Sequence, residues 1–467
     1  RRHFIQGVGA GTLVASQVAE DKSSLAATEE KKHAAKTSDG PIRRGFGLHL
    51  FVDQEDVERS EDITFTYHSA EKHEGNPMIV ADTPWERAPK GKLKRAGEFG
   101  FVHLWGGGSL YDDQERLFKI WYACRCGLAY ATSSDGLNWQ KPALGLHGVG
   151  KPPAGPESNV FREFVEITGI HCNRFEADPA RRYKTLTGYG KALVSPDGLR
   201  WSPIGKVFDG RSEVNPTTAD PGRNRYLAFP KVLPECYDGT RRRSVALTTS
   251  PDFVNWDSLQ TVLIPDRLDD ERAARLKEER YRLLAYPDVD VNRGHFYGMF
   301  GHPYGDHHYV GLAIMFYATG YQRHPGWEEH RKNKEPGGDA GLSEIQITFS
   351  RDLKRWNRPP DRQPVIGLGD QLSWEGGWLV APAMVVHKDE IRIYYAGGIW
   401  SHSDPVQYGD AKDENWSTLV SKLKGPGWGI GMATLRLDGF ASADAGQREG
   451  SLLTKPMELD GARVTIN

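Results

Sequence analysis

Long apolar runs are missing from this chain beyond residue 40. No stretch there approaches the roughly 18 residues a helix needs to cross a bilayer, so no membrane span is expected. Cysteine is scarce too. Cys124, Cys126, Cys172 and Cys236 are the only four, and none forms a C-x-x-C pair, which removes the usual structural zinc spacings and leaves no metal or cofactor to expect. Residues 124 and 126 would share one face of a strand; a disulfide from either to Cys172 and a set of buried free thiols both fit that spacing. Excess charge of one sign is also absent. Sixty Lys and Arg face 62 Asp and Glu for a net charge of −2, and nothing in that balance calls for nucleic acid. What the chain has in quantity is 52 Gly, 28 Pro, 13 Trp and 18 Tyr, which suits many short strands joined by turns better than a helical bundle.

The first 20 residues, RRHFIQGVGAGTLVASQVAE, open with two arginines and continue into a mildly apolar Gly- and Ala-rich stretch. That is the pattern of a twin-arginine export signal, so a periplasmic or extracellular destination is expected. Residues 21–40 are polar and poor in aromatics, as a linker would be, and folded structure is expected from Pro41.

A string of the form S-x-D-x-x-x-W recurs at Ser133/Asp135/Trp139, Ser195/Asp197/Trp201, Ser250/Asp252/Trp256 and Ser350/Asp352/Trp356. Each follows a strand-like run. The Asp suits backbone N–H groups across a tight turn, Gly136 and Gly198 supply a left-handed position, and the Trp opens the next strand. Aromatic strands precede each: RLFKIWYA, RRYKTLTGY, NRYLAFPKV and YVGLAIMFYA. A fifth, EIRIYYAGGIW, leads to GIGMATLRLDGF, where Phe440 stands near the Trp position. Five multi-stranded units that bury their faces only against neighbours predict an all-β, five-bladed β-propeller.

These units, with AYATSSDGLNWQKP, SPDGLRW, SRDLKRW and the closing GIGMATLRLDGF, resemble the five-bladed β-propeller glycoside hydrolases, and most nearly the family-32/43-like exported bacterial proteins. The resemblance spans residues 41–455. It implies a carbohydrate substrate and hydrolysis of an O-glycosyl bond. The W-x-N-D-P-N-G and R-D-P motifs of invertases are absent, so their catalytic residues do not carry over and fructan cleavage is not implied. Residues 456–467 read as the start of a further strand, as of a C-terminal β-sandwich.

In such a fold the loops between second and third strands and between blades share one mouth, and the S-x-D turns lie at the other end. Long insertions at 231–243, 318–341 and 401–427, and a helix-patterned segment at 265–288, all fall on the mouth side, which marks it as the functional rim. Glycoside hydrolysis needs two carboxyls. The catalytic candidates beside the inner strands are Glu375, Glu213, Asp288, Asp290 and Glu166. Glu375 leads, because Trp374 would supply an aromatic wall suited to a proton donor, while Arg211 would hold Glu213 ionised. Substrate-binding candidates are His103 and Trp105 beside Gly106–Gly108, His171, Arg174, Arg211, His302, Tyr304 and Trp374. The run His302, Asp306, His307, His308 is a weak metal pattern, since adjacent histidines on a strand point opposite ways. The chain therefore reads as an exported glycoside hydrolase. A non-catalytic carbohydrate-binding propeller and a glycoside phosphorylase using Arg241, Arg242 and Arg243 are the alternatives.

Overall fold

The computed structural model describes residues 3–5, 12–15, 48–87, 101–146, 148–150, 153–163, 167–173, 176–207, 215–284, 293–318, 341–371, 373–402, 425–456 and 464–466. Among the described residues the protein is all-β apart from the helix Arg267–Leu284 and short 3-10 turns. The chain divides into two units. One, drawn from residues 1–68, 305–307 and 438–467, pairs Val57–Glu61 with Gly450–Thr454 and Ile63–Tyr67 with Ala441–Ala445. Its short strands His3–Ile5 and Thr12–Ala15 lie within the expected export signal and pair with Val464–Ile466 and Gly450–Thr454.

The other unit, residues 69–304 and 308–437, is a succession of five antiparallel meanders. The first runs through Val102–Asp112, Leu117–Cys124, Gly127–Ser133 and Val160–Arg162, and the second through Ile167–Cys172, Tyr183–Thr187, Lys191–Ser195 and Ser202–Lys206. The third comprises Thr217–Asp220, Arg225–Ala228, Ser244–Ser250 and Gln260–Leu263, with Lys231–Val232 also on its third strand. The fourth is Arg293–Tyr304, His308–Ala318 and Gly341–Ser350; the fifth is Trp378–His387, Glu390–Gly398 and Trp428–Arg436, with Glu71–Lys72 added as its outer strand. A single parallel pairing, Ser343 with Trp378, joins the fourth sheet to the fifth. The first strands are neighbours in chain order, and that of the fifth meander packs against that of the first.

The recurring string forms the turn that its residue types predict. Asp135 Oδ1 accepts the backbone N–H of Leu137 and Asn138 at 2.8 Å, and Ser133 Oγ accepts the N–H of Gly136 at 2.9 Å. The same bonds recur around Asp197, Asp252 and Asp352. Gly136 and Gly198 take φ of 75° and 78°, and a Cβ on Gly198 would meet the Trp121 ring at 2.6 Å. In the third and fourth meanders Phe253 and Leu353 occupy the same left-handed position at φ 66° and 65°. Both side chains are buried in the core, and that burial offsets the backbone cost. Of the repeated tryptophans only Trp356 is buried, packed in a core cluster with Phe229, Met299 and Leu353, whereas Trp139, Trp201 and Trp256 are half-buried, contrary to the expectation of four buried indoles.

Neighbouring meanders are also tied by polar contacts at this turn-bearing end. Tyr183, Tyr226 and Tyr309, each near the head of a second strand, donate their hydroxyls to Asp112, Glu176 and Asp220 of the preceding meander at 3.2, 3.4 and 2.8 Å. Each carboxylate also meets a cation of its own meander: Lys119, Lys184 or Arg225. Trp121 Nε1 donates to Gly198 O at 2.8 Å, and Tyr394 Oη to Gly136 O at 2.9 Å, which links the fifth meander to the first. All four cysteines are free thiols, so the disulfide reading fails. Cys172 Sγ instead accepts from Arg182 Nε at 3.3 Å, and burial pushes the Cys124 thiol up to about 12.

Two outcomes follow from these contacts. Trp356→Ala should destabilise by about 3–5 kcal/mol in denaturant unfolding, and Trp201→Ala by clearly less. Asp252 is held down to about 2, chiefly by the backbone N–H of Asn255. Its folded value is depressed, so its contribution is full above the ordinary carboxylate range near pH 4 and is lost as pH falls toward 2. The stability gap between wild type and Asp252→Asn should therefore narrow over that window in acid titrations followed by circular dichroism.

Candidate functional site

Strand direction places the site. First strands begin, second strands end and third strands begin at the end of the meanders opposite the S-x-D turns. The segments 231–243, 285–292, 319–340 and 403–424 all join strands at that end. A cavity of about 190 Å³ lies where the five first strands come together, lined by Gly108–Tyr111, Gly169–Cys172, Pro216–Thr218, Phe300–His302, Ala383 and Met384. Among the described residues no Asp, Glu, Lys or Arg lines it, and His171 and His302 are its titratable groups.

Glu166, Arg174, Arg211, Glu213, Asp288 and Asp290 lie outside the described residues, as does the side chain of Trp105, whose backbone belongs to the strand Val102–Asp112. Glu375 is buried beside the start of the fifth first strand and is not among the residues that line the cavity. Its Oε2 accepts the Tyr395 hydroxyl at 2.7 Å and its Oε1 meets Lys72 Nζ at 3.0 Å. Trp374 stacks on the Tyr395 ring, at 5.8 Å and 21°, so the aromatic wall exists. It shields an ion pair rather than a lone carboxyl, because Lys72 on the outer strand reaches across the sheet to the same pocket.

The histidine candidates are brought inside and kept neutral. His103 stacks on Phe101 at 5.6 Å and meets the edge of Trp428; burial lowers its pKa to about 3. His171 sits against Tyr226 and Phe253, and burial, aided by the Lys184 charge, lowers it to about 3. Thr217 Oγ1 donates its one proton to Gly169 O at 3.0 Å, so the 3.2 Å contact with His171 Nδ1 makes that nitrogen the donor. His302 is lowered to about 4 by burial alone. His171 and His302 both border the cavity, and Tyr304 is buried at the far end of the same strand as His302. Neutral imidazoles of this kind accept or donate hydrogen bonds but do not relay protons near pH 7. Among the described residues no group of three His, Cys, Asp or Glu is placed to hold a metal.

A second cluster, of which the sequence reading named only Arg243, stands at the end where the first strands begin. Trp378, the opening residue of its strand, stacks on His402 at 4.4 Å and 18°. Tyr297 lies 5.5 Å from both rings, and its hydroxyl is 3.3 Å from His402 Nε2. Lys231 Nζ sits 4.7 Å from the Tyr297 centroid, and Arg243 lies over both Tyr297 and Phe316, at 5.6 and 5.2 Å. The Arg243 backbone N–H donates to His295 Nδ1 at 3.3 Å, and burial together with the Arg243 charge lowers that imidazole to about 3. The signal in the sequence was the alternation H-F-Y at 295–297, which puts His295 and Tyr297 on one face of a strand. Arg242 is not part of this cluster. It is buried and held by Asp238 and Asp270, so the three-arginine phosphate pocket is reduced by one member. The helix Arg267–Leu284 is pinned similarly, by the two-pronged pairing of Arg272 with buried Glu344 at 3.0–3.1 Å.

Removing Lys72 would leave the Glu375 carboxylate buried without its counter-charge. Lys72→Met should lower stability by about 1–3 kcal/mol, the usual cost of breaking such a pair discounted for the partial exposure of the lysine. The double variant Lys72→Met/Glu375→Gln should recover most of that loss in a double-mutant cycle.

No family model matches the chain, and no curated protein matches it. Solved structures with a related trace include an N-acetylgalactosamine deacetylase from F. plautii, at TM-score 0.44 and 11% identity over 80% of this chain and 96% of that one. A glycosyl hydrolase from Bacteroides ovatus aligns at 0.40 and 14%, over 81% and 97%. A structure described under the GH130 family of mannoside phosphorylases, which contains glycoside hydrolases that target β-1,2 mannosidic linkages in Candida mannan, aligns at 0.38 and 13%, over 81% and 97%. At these scores the likenesses carry no weight for the reaction.

Proposed function

We propose that the chain is an exported glycoside hydrolase in which the five meanders are the blades of a β-propeller, with residues 1–40 as export signal and linker and 41–455 as the catalytic domain. The observation that carries this reading is the adjacency of the first strands, one to five and back to one, with the five acids singled out from the sequence preceding the second to fifth of those strands in the chain. In this reading the strand starts face a common axis, and four of them offer carboxyls from different blades to one glycosidic bond. One carboxylic acid protonates the leaving oxygen. A second carboxylate directs water to the anomeric carbon, or attacks it to form a glycosyl ester that water then opens, so that one water is added across the bond in either route.

Lys72 and Tyr395 engage both oxygens of Glu375, so in this proposal the reacting pair comes from Glu213, Asp288, Asp290 and Glu166, and Glu375 positions the Trp374 wall. Glu213→Gln should then lower kcat by about 10²- to 10⁴-fold on a responsive oligosaccharide, the usual worth of a general acid or base, with the fold intact by circular dichroism. Glu375→Gln should cost far less in kcat. A larger loss for Glu375→Gln than for Glu213→Gln would return the proton-donor role to Glu375, and full activity in all five single variants would remove the hydrolase reading.

A further inference from the structure

We infer that Tyr189 and Tyr237 form a stacking track for an extended neutral glycan on the rim of the second and third meanders, at the end where the first strands begin. The inference takes the class of ligand from the hydrolase reading and adds that the ligand is a chain of several sugar units, gripped away from the bond that breaks. Three features support it.

The first is where exposed aromatic surface falls. Among the described side chains the exposed Phe, Tyr or Trp residues are Tyr189 and Tyr237, at 53% and 56%. Tyr189 lies in the turn between Tyr183–Thr187 and Lys191–Ser195 and Tyr237 between Arg225–Ala228 and Ser244–Ser250, so both occupy the connection from second to third strand in successive meanders. That connection belongs to the rim where function concentrates. The second feature is that both residues are held. Thr187 Oγ1 accepts the backbone N–H of Tyr189 at 3.4 Å and of Lys191 at 3.1 Å, which fixes the turn that carries the Tyr189 ring. The Tyr237 hydroxyl donates to Asp270 Oδ2 at 2.6 Å, and the Arg242 guanidinium lies over its ring at 5.3 Å from the centroid. A side chain tied in this way while more than half exposed has already lost much of the rotamer freedom that binding would otherwise cost. The third feature is their company. Tyr189 stands between Gly188 and Gly190, and Tyr237 shares its loop with exposed Leu233 and with Asp238, Thr240 and Arg241. Single rings among small and polar residues lack the contiguous apolar area that a protein partner buries. A sugar needs only one such ring, with its C–H face on the aromatic and its hydroxyls in water or on polar neighbours. Sheets packed face to face stand about 10 Å apart, so two successive rims are spanned by a chain of sugars rather than by one.

The test is isothermal titration calorimetry with neutral oligosaccharide ladders of β-linked glucose, mannose and xylose, from disaccharide to octasaccharide. Affinity of the wild-type protein for at least one ladder should rise with chain length. Tyr237→Ala and Tyr189→Ala should each weaken the longest members by about three- to tenfold, the worth of one aromatic stacking contact, and leave the disaccharide unchanged. Tyr237→Phe keeps the ring, loses the bond to Asp270 and should retain most of the affinity. Where a ladder is cleaved, KM replaces the dissociation constant, and the loss should appear in KM for long members with kcat unchanged. Circular dichroism checks the variants, and Tyr189→Ala, in an exposed turn, carries the test if Tyr237→Ala fails to fold. Binding that does not grow with length in any ladder, no binding to any of them, or undiminished binding in the folded Ala variants would overturn the track. Length-dependent binding that needs the tyrosines but proceeds without cleavage would retain the track and remove the hydrolase reading; cleavage indifferent to length and to both tyrosines would do the reverse.

Discussion

Each meander in the larger unit has only three to five strands and must cover both of its faces with the meanders on either side, so the packing of one meander on the next is the constraint on which the rest depends. The apolar share of that packing is visible in Trp121, which sits fully buried in the cluster formed by residues of the first and second meanders. The polar share is the Tyr183, Tyr226 and Tyr309 series. Each hydroxyl crosses to a carboxylate that already holds a cation, and a hydrogen bond to a charged group is worth about 1.5–3 kcal/mol, more than a neutral one. The order of the meanders follows from these pairwise contacts rather than from any one sheet.

The tyrosine–carboxylate contacts and the S-x-D turns share one end of the meanders, and the long connections share the other. One end is therefore saturated with short-range bonds that fix strand spacing, which leaves the opposite end able to carry insertions of varied length without loss of the core. The aromatic and basic cluster around Tyr297 stands at that second end and is built from strand termini of three meanders. A site assembled in this way draws one or two residues from each of several sheets, so it changes with small substitutions while the sheets stay as they are.

The polar groups inside the unit divide by their company. Glu344, Glu86 and Asp269 are fully buried, but each has a cation beside it and further hydrogen bonds: Arg272 and Tyr317, Lys141 and Tyr122, and Arg358, respectively. A buried carboxylate matched in this way stabilises one geometry and is unavailable for chemistry. Glu375 belongs with them through Lys72 and Tyr395. The buried histidines His103 and His295 form the complementary set, held uncharged chiefly by burial.

The periodic features were open to reading from the chain alone. The repeated Ser-x-Asp and Trp spacing, the Gly at 136 and 198, and the aromatic strand before each turn depend on bonds between residues two to four apart, and such bonds form wherever that string occurs. The all-β class and the helix Arg267–Leu284 followed from the same local patterns. What only the tertiary structure decided is which side chains meet across meanders. Nothing near residue 375 in the chain announces Lys72, which lies some three hundred positions earlier and reaches the carboxylate only because its strand pairs with Trp428–Arg436. Likewise His402, Tyr297, Lys231 and Arg243 come from four separate segments, and their cluster exists because strands of three sheets end at the same level. Local hydrogen bonding sets turns and strands, whereas the charge and company of a buried group depend on neighbours that sequence distance does not reveal.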